Sequence, residues 1–222
     1  MSRETSRGDT ELTVCGVDLR PLAKISSETL REHGVSAAGA GWADAASQEL
    51  RFEVLVDTAQ VPDGEAVTVN DLGCGYGSLY EHLVRRGIVV TEYHGYDICD
   101  DMLVAARATV PAEQAHFWRS ADVTQTADFS FLSGPLNLKV CDDETWKAYA
   151  KSVVLSLARH SRRGFAFNLM TTKVTYRVDE LYYADPEEWL DWCRREISPH
   201  LTLFEDYPLY EWTIGGRTES TG

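Results

Sequence analysis

The spacing of apolar positions changes along the chain and predicts two kinds of region. Apolar residues at helical spacing predict helices from Pro21 to Gly34 and from Ala43 to Ala59. After the turn VPDGE, short apolar runs typical of buried strands alternate with helical segments. Strands that alternate with helices form βαβ units, so the pattern indicates a largely parallel sheet covered on both faces.

Seven strand-like runs are predicted in this alternating part. Five are AVTVNDLG, EYHGYDI, AHFWRSA, FSFLSG and GFAFNLM, and two more follow each other in LTLFEDYPLYEWTIGG, where Pro208 separates them. Two consecutive strands predict a hairpin and therefore one antiparallel strand near the C-terminus. The predicted fold is a doubly wound, mostly parallel α/β sheet, whose ligands bind beyond the carboxyl ends of its strands.

Capping residues predict where three of the helices begin. Ser78 followed by Glu81 predicts a capping box after the first strand. Asp100 or Asp101 is predicted to cap the helix after the second strand, and Asp185 the helix after the fifth.

The pattern divides the chain into three regions. Residues 1–20 are expected to form a flexible N-terminal tail, residues 21–60 N-terminal helices that can act as a lid, and residues 61–222 the ligand-binding α/β domain. A chain of 222 residues, of which 44% are hydrophobic, is large enough for one sizeable domain with a real core.

The composition leads us to expect a cytoplasmic protein without a membrane partner. The first residues, MSRETSRGDTELTV, lack the apolar centre of a secretory signal. No run approaches the roughly 18 apolar residues that cross a bilayer. The five cysteines are widely spaced and form no C-x-x-C pair, which fits reduced thiols in a reducing compartment.

Charge and histidine content argue against two other classes of site. Acidic residues outnumber basic ones by 35 to 21, and the net charge is −14. Since no basic block provides a surface for phosphates, nucleic acid is not expected as a partner. The six histidines are scattered, with no H-E-x-x-H and no Cys/His grouping, so no metal is expected. The protein is expected to be a monomer or a homodimer.

The stretch VNDLGCGYG places Gly73, Gly75 and Gly77 where the first strand ends and a helix begins. Glycines at such a turn allow a ligand to lie against the backbone. Their G-x-G-x-G spacing differs from the G-x-G-x-x-G of dinucleotide-binding turns. Asp71 would repel a diphosphate and attract a cation, and Asp97, which ends the second strand, can accept hydrogen bonds from both hydroxyls of a ribose. These features favour a cationic ligand that carries a ribose.

The same segments resemble the class I, Rossmann-like S-adenosylmethionine-dependent methyltransferases of the bacterial small-molecule type. VNDLGCGYG is similar to their first motif and YHGYDI to their second. SADVTQ resembles the segment that meets the adenine, and FLSGPLNL the segment after strand four. The resemblance covers about residues 45–215. It implies that the α/β domain binds S-adenosyl-L-methionine and releases S-adenosyl-L-homocysteine.

The resemblance also assigns cofactor-binding residues. The methionine end of the cofactor is expected to meet the glycine turn and the end of strand four, which comprise Asp71, Gly73, Gly75, Tyr76, Gly77, Ser133 and Gly134. The ribose is expected at Asp97, and the adenine at Ile98, Asp122 and Val123. From the residues alone, Asp97 and Asp122 also fit a second interpretation, since aspartates at strand ends often cap the next helix or turn.

The acceptor pocket is expected beyond strands four and five and beside the N-terminal helices. The candidates there are Trp42, Arg51, Asn137, Lys139, Asn168, Tyr182 and Tyr183. Tyr76, Asn137 and Tyr183 are the candidates for catalytic residues. Asn137 and Asn168 can hold a substrate carbonyl or amine, or they can satisfy loop backbone. Arg51 can bind a carboxylate of the cofactor or the acceptor, or lie exposed on its helix.

The predicted reaction moves a methyl group to O, N or C of a small molecule by in-line displacement. Fixing the two reactants in line contributes roughly 7–11 kcal/mol. A general base adds about 10²–10⁴-fold, so positioning is the larger effect and no catalytic dyad is required. Two alternatives stay open: other S-adenosylmethionine chemistry, by alkyl transfer or cyclisation, and a non-catalytic cofactor-binding module. The glycine spacing and Asp71 disfavour a third, a nicotinamide-dependent oxidoreductase.

Overall fold

The computed structural model describes residues 12–111 and 113–218. Its helices are α1 (Arg20–His33), α2 (Ala45–Ala59), α3 (Ser78–Arg85), α4 (Asp100–Thr109), α5 (Asp143–Arg159) and α6 (Pro186–Glu196). Its strands are β1 (Thr13–Val14), β2 (Val17–Asp18), β3 (Ala66–Leu72), β4 (Val89–Asp97), β5 (Ala115–Arg119), β6 (Ala127–Leu132), β7 (Ser161–Thr171), β8 (Tyr183–Ala184), β9 (Thr202–Phe204) and β10 (Glu211–Arg217).

The central sheet has the strand order β5-β4-β3-β6-β7-β10-β9, and β8 pairs with β7. Every pairing from β5 to β7 is parallel, whereas β10 runs antiparallel to both β7 and β9. The predicted doubly wound sheet with one antiparallel strand is therefore confirmed. The strand order reverses between β3 and β6, because the chain returns across β3 after β5. A ligand crevice is expected at the carboxyl ends of these strands.

Two apolar layers cover the sheet. On one face, α5 and α6 pack the fully buried Trp146 and Trp189 against the strands. On the other face, α2 and α3 cover Phe129 and Phe131, which have no exposed surface. Aromatic rings of this size dominate the burial of apolar surface in a core. The two layers fix the sheet and thus the loops at its carboxyl edge.

The segment before α1 corrects the predicted tail. β1 and β2 form an antiparallel hairpin, and Leu12, Val17 and Leu19 are buried against the α5 side of the core. The prediction of a loose tail is wrong for residues 12–20, because their apolar side chains complete that core. The rest of the predicted tail, residues 1–11, lies outside the described residues.

Two predicted helix caps are wrong, although the helices begin at Ser78 and Asp100. The N-cap of α3 is Gly77, which adopts the left-handed conformation and provides no side-chain cap, while the Ser78 hydroxyl accepts a hydrogen bond from Gln48 Nε2. The N-cap of α4 is Cys99, again without a side-chain cap. Asp185 does cap α6, as predicted, and accepts a hydrogen bond from the Glu188 amide.

Across residues 12–111 and 113–218, no helix combines the length and the apolar character needed to cross a bilayer.

Candidate active site

A cavity of about 540 Å³ lies at the carboxyl ends of β3, β4 and β6. Its volume is within the roughly 300–1,000 Å³ that is typical of small-molecule sites. Leu22 and Ile25 of α1 form part of the wall, together with Gly39 to Ala43 in the connection to α2. The cavity therefore occupies the crevice where the strand order reverses, and the N-terminal helices cover it.

The glycine turn between β3 and α3 contributes differently at each position. A Cβ atom on Gly73 would lie 2.7 Å from Pro135 Cγ, and one on Gly77 would lie 2.6 Å from Val110 Cγ2. These two glycines therefore allow neighbouring side chains to pack against the turn. Gly75 has a φ of +52°, and a Cβ there would meet no atom closer than 4.0 Å. Gly73 and Gly75 line the cavity, but Gly77 does not.

Asp71 lies in the cavity wall just before the turn and is only 3% exposed. Its carboxylate accepts a hydrogen bond from the hydroxyl of Tyr93. Burial raises the pKa of Asp71 to about 7, and the negative charge of Asp97 adds to the increase. This carboxyl group therefore titrates near neutrality, and a cation in the cavity would favour its charged form.

Asp97 ends β4 and also lines the cavity. Its Oδ2 accepts a hydrogen bond from the Gly75 amide and its Oδ1 from the Cys99 amide, both at 2.9 Å. Burial raises its pKa, while these backbone donors act in the opposite direction. A carboxylate has about four acceptor positions, so each oxygen can take a further donor from a ligand. Ile98 lies beside it in the wall.

The segment predicted to meet the adenine reaches the cavity through different residues. Ser120 and Ala121 line the wall, whereas Asp122 and Val123 do not. Asp122 Oδ1 accepts a hydrogen bond from the Val123 amide at 2.8 Å. This contact matches the alternative interpretation, in which the aspartate caps its own turn.

The end of β6 brings Ser133 and Gly134 to the cavity. Ser133 is 8% exposed, and its Oγ has no hydrogen-bond partner among the described residues. A buried hydroxyl without a partner costs free energy, so a ligand that hydrogen-bonds to it would be stabilised. The Gly134 amide donates to Asn168 Oδ1 at 2.9 Å. A Cβ on Gly134 would lie 2.3 Å from Trp42 Cη2, so the indole packs directly on this backbone.

A buried ion pair joins α2 to the start of β10 at the other end of the cavity. Arg51 donates from Nε and Nη2 to the two carboxylate oxygens of Glu211, at 2.8 and 3.0 Å. The two side chains are only 11% and 5% exposed. Asn137 Nδ2 and Asn168 Nδ2 also donate to Glu211, at 3.3 and 3.0 Å. The guanidinium lies 4.3 Å from the centre of the Trp42 ring.

These contacts form a closed ring of interactions at this end of the cavity. Trp42 packs on Gly134, whose amide is bound by Asn168. Asn168 in turn binds Glu211, and Glu211 holds Arg51 against Trp42. This ring of interactions fixes the indole relative to the end of β6.

Three acceptor candidates line the cavity and four do not. Trp42, Arg51 and Asn137 are in the wall. Those that do not line it are Lys139, Asn168, Tyr182 and Tyr183. Lys139 is paired with Asp143, and Tyr182 is 3% exposed in the α5–α6 core. Asn168 is fully buried behind the wall and acts on it only through Gly134 and Glu211.

The structure places the two tyrosine candidates for catalysis outside the cavity wall. Tyr76 packs with Leu30 of α1 and Met102 of α4, because the turn directs its ring between these helices. Its hydroxyl donates to Gln48 Oε1 at 3.1 Å, and Gln48 does line the cavity. The hydroxyl of Tyr183 accepts a hydrogen bond from the Val178 amide. Among the tyrosines, only Tyr149 is in the described wall.

Residues 70–133 match a family model described as a methyltransferase domain. A protein of Mycobacterium tuberculosis (strain ATCC 25618 / H37Rv) that is named as a methyltransferase is 39% identical to this chain over 157 residues. The match covers 69% of this chain and 94% of that protein.

Two solved structures share the fold. The 1,6-didemethyltoxoflavin N1-methyltransferase of Burkholderia thailandensis has a TM-score of 0.60 at 15% identity, over 89% of this chain and 87% of its own. The magnesium protoporphyrin IX methyltransferase of Synechocystis PCC 6803 has a TM-score of 0.53 at 12% identity, over 99% and 90%. Both were solved with S-adenosylhomocysteine bound.

The chain belongs to the class I S-adenosylmethionine-dependent methyltransferases. S-adenosylmethionine is its methyl donor and S-adenosylhomocysteine the product. The cavity fits this donor, because Gly75 exposes bare backbone, Asp97 retains acceptor positions and Ser133 Oγ lacks a partner. In residues 12–111 and 113–218, no group of three or more His, Cys, Asp or Glu residues is arranged to hold a metal ion.

Glu211 and Gln48 are among the polar wall residues of this methyltransferase that sequence reasoning missed. Glu211 is the first residue of the buried strand β10, and an acidic residue at the start of the apolar run in YEWTIGG was the available signal. Gln48 is 5% exposed and joins Tyr76 to Ser78 by hydrogen bonds. Gln48 gave no comparable signal in the sequence, because glutamine is common on exposed helix surfaces.

Proposed function

We propose that this methyltransferase transfers the methyl group to O, N or C of a small molecule by in-line displacement, mainly by positioning the reactants. The proposal is supported by one cavity of about 540 Å³, whose lining includes residues proposed for the cofactor and residues proposed for the acceptor. Gly75 and Asp97 line the cofactor end, and Trp42 and Asn137 line the other end. A cavity of this size accommodates ligands of small-molecule dimensions.

The cofactor end suggests a role for each residue. In this proposal, the free acceptor positions of Asp97 bind the ribose hydroxyls, and Ile98 and Ala121 contact the adenine. The Gly75 backbone and Ser133 Oγ meet the methionine end, while Asp71 balances its positive charge. The bound cofactor supplies a methyl group that is already activated by the sulfonium.

Positioning is favoured over general-base catalysis because the wall offers few proton acceptors. Among the described lining residues there is no histidine and no lysine. The carboxylates of Asp71, Asp97 and Glu211 are all held by backbone or side-chain donors. Holding the acceptor in line contributes roughly 7–11 kcal/mol, more than a base supplies.

The wider organisation is proposed on the same grounds. The N-terminal helices at residues 21–60 act as a lid on the α/β domain, and the lid is held where Ser27 and Arg31 hydrogen-bond to Asp101 of α4.

The net charge of −14 supports a protein without a nucleic acid partner. The buried free thiols of Cys74, Cys99 and Cys193 fit the cytoplasm, with the protein acting as a monomer or homodimer.

Calorimetry followed by a turnover assay tests this function. S-adenosylmethionine should bind one site per chain, and S-adenosylhomocysteine should form when a panel of phenols, amines and activated carbon acids is supplied. Absence of cofactor binding up to millimolar concentration would contradict the proposal. Binding without turnover on any acceptor would support a non-catalytic module, and accumulation of a different thioether would support other S-adenosylmethionine chemistry.

A further inference from the structure

The charges in the cavity wall are unevenly distributed. Among the described lining residues, Arg51 is the only cation, whereas Asp71, Asp97 and Glu211 are acidic. Asp71 and Asp97 lie at the cofactor end, beside the glycine turn. At the acceptor end, Arg51 and Glu211 face each other as a bidentate pair and cancel each other's charge.

The hydrogen-bonding groups at the acceptor end are already used within the protein. Each oxygen of Glu211 accepts two hydrogen bonds, one from Arg51 and one from an asparagine amide. Asn137 Oδ1 accepts from the Met170 amide. Arg51 Nη1 also donates to the Ser47 carbonyl at 2.9 Å. An incoming anion would either displace Glu211 from Arg51, which leaves a buried carboxylate without its counter-ion, or share the guanidinium with Glu211, where the two negative charges repel each other. Both arrangements are unfavourable in a buried site.

The wall next to this pair is apolar. Leu138, Met170 and Leu181 line the cavity around Asn137, and Leu138 is bridged to Leu181 across the neighbouring loop. Trp42 completes this side, with one ring face against the guanidinium of Arg51. A ligand here gains free energy mainly by removing apolar surface from water.

We propose that the acceptor of this methyltransferase is an uncharged molecule with an apolar body, and that the Arg51–Glu211 pair excludes anionic acceptors. This inference rests on the proposed function and adds the chemical class of the acceptor. Trp42, Leu138, Met170 and Leu181 contact the apolar body. Because the charges of Arg51 and Glu211 are paired, this side of the cavity is polar but presents no net charge to a ligand.

Matched probes test the inference on the unmodified protein. We would saturate the full chain with S-adenosylhomocysteine and measure binding by calorimetry for several one- and two-ring skeletons, each as an alcohol, a carboxylate and an ammonium. One such set is 1-naphthol, 1-naphthoate and 1-naphthylmethylammonium. Uncharged members should bind at least about tenfold more tightly than their charged partners, which is about 1.4 kcal/mol. Equal or tighter binding of the charged members, or no binding of any uncharged member, would overturn the inference.

Charge-altered variants test the role of the pair. Glu211→Gln keeps an oxygen acceptor near Arg51 but removes the negative charge, so affinity for the carboxylate probes should rise at least about tenfold. Glu205→Gln removes a carboxylate from the exposed Lys173–Glu205 pair, so it serves as the matched control and should leave the preference unchanged. A folded Glu211→Gln protein that binds S-adenosylhomocysteine without this gain would overturn the proposed role.

A second variant covers the possibility that Glu211→Gln does not fold. Arg51→Met combined with Glu211→Leu removes both charges, and it should still bind uncharged probes at least about tenfold more tightly than carboxylates. Loss of that preference would overturn the inference. If the unmodified protein fails to bind S-adenosylhomocysteine, the proposed function fails; if it binds the product but prefers anions, only the inference fails.

Discussion

Asp97 has two carboxylate oxygens, and contacts within the fold use only part of their capacity to accept hydrogen bonds. One oxygen holds the amide of Gly75 and the other holds the amide of Cys99. The side chain is therefore fixed in orientation before any ligand binds. Fixing a binding group in advance reduces the entropy cost of association. The same residue thus serves as a turn cap and as the proposed ribose ligand.

Replacing Asp97 with alanine should weaken cofactor binding by about 1.5–3 kcal/mol, because hydrogen bonds to a charged group are lost. Calorimetry with S-adenosylhomocysteine should show a dissociation constant about 10- to 150-fold higher. Asp100→Ala is the control, since Asp100 is exposed in the first turn of α4 and does not line the cavity. An unchanged constant for Asp97→Ala would show that another group binds the ribose.

Asp71 should make stability depend on pH. An unfolded aspartate loses its proton near pH 3.8, whereas burial raises the pKa of folded Asp71 to about 7. Between these values the folded state binds more protons, so the free energy of unfolding should fall as pH rises, by at most about 1.4 kcal/mol per pH unit. Urea titrations from pH 4 to 7 should show a shallower decline for Asp71→Asn. Parallel curves for the two proteins would contradict the assignment.

At the scale of elements, two glycines of the turn have different roles: Gly77 allows close packing, and Gly75 leaves backbone accessible to a ligand. Gly77 has a φ of +86° and Val110 occupies the space of its missing Cβ, so Gly77→Ala should combine backbone strain with overpacking, about 1–3 kcal/mol each. Gly75→Ala should be less destabilising, by about 1 kcal/mol from its positive φ, but should lower cofactor affinity. Denaturation and calorimetry on both variants give the comparison. The reverse ranking would mean that the roles are exchanged.

The elements could be predicted from the sequence wherever the signal was local. The apolar runs of the central strands and the Asp185 cap of α6 both depend on neighbouring residues only. The predicted capping box at Ser78 is wrong because the glycine turn enters α3 through the left-handed Gly77. Similarly, Asp101 does not cap α4, since its carboxylate is bound to Ser27 and Arg31 of α1. These partners lie about 70 residues away, beyond any local pattern.

At the scale of the whole molecule, the Arg51–Glu211 pair ties α2 to β10 across 160 residues. Arg51→Met should lower the free energy of unfolding by about 3–5 kcal/mol, because Glu211 would be left buried without its main partner. Arg51→Met combined with Glu211→Leu should recover part of this loss. Arg163→Met, which breaks the more exposed pair with Glu65, should cost less than about 1 kcal/mol. Equal losses for the two arginine variants would contradict a buried structural pair.

The Arg51–Glu211 pair belongs to the part of the site that sequence patterns do not predict. Gly73, Gly75 and Asp97 could be proposed for the cofactor end from the sequence, because one turn and one strand end carry them, and all three line the cavity. The proposed acceptor end is lined by Trp42, Asn137 and Glu211, which come from three distant parts of the chain. A sequence pattern shows that each is polar or aromatic, but not that the sheet brings them together. For this reason Glu211 was missed, while Lys139 and Tyr183 were predicted and lie outside the wall.

A crystal structure with S-adenosylhomocysteine bound tests the central claim most directly. We predict that both ribose hydroxyls lie within hydrogen-bonding distance of Asp97, and that the sulfur faces the space between Trp42 and Asn137. The product bound elsewhere, or a pyrophosphate ligand held at the glycine turn, would contradict the account.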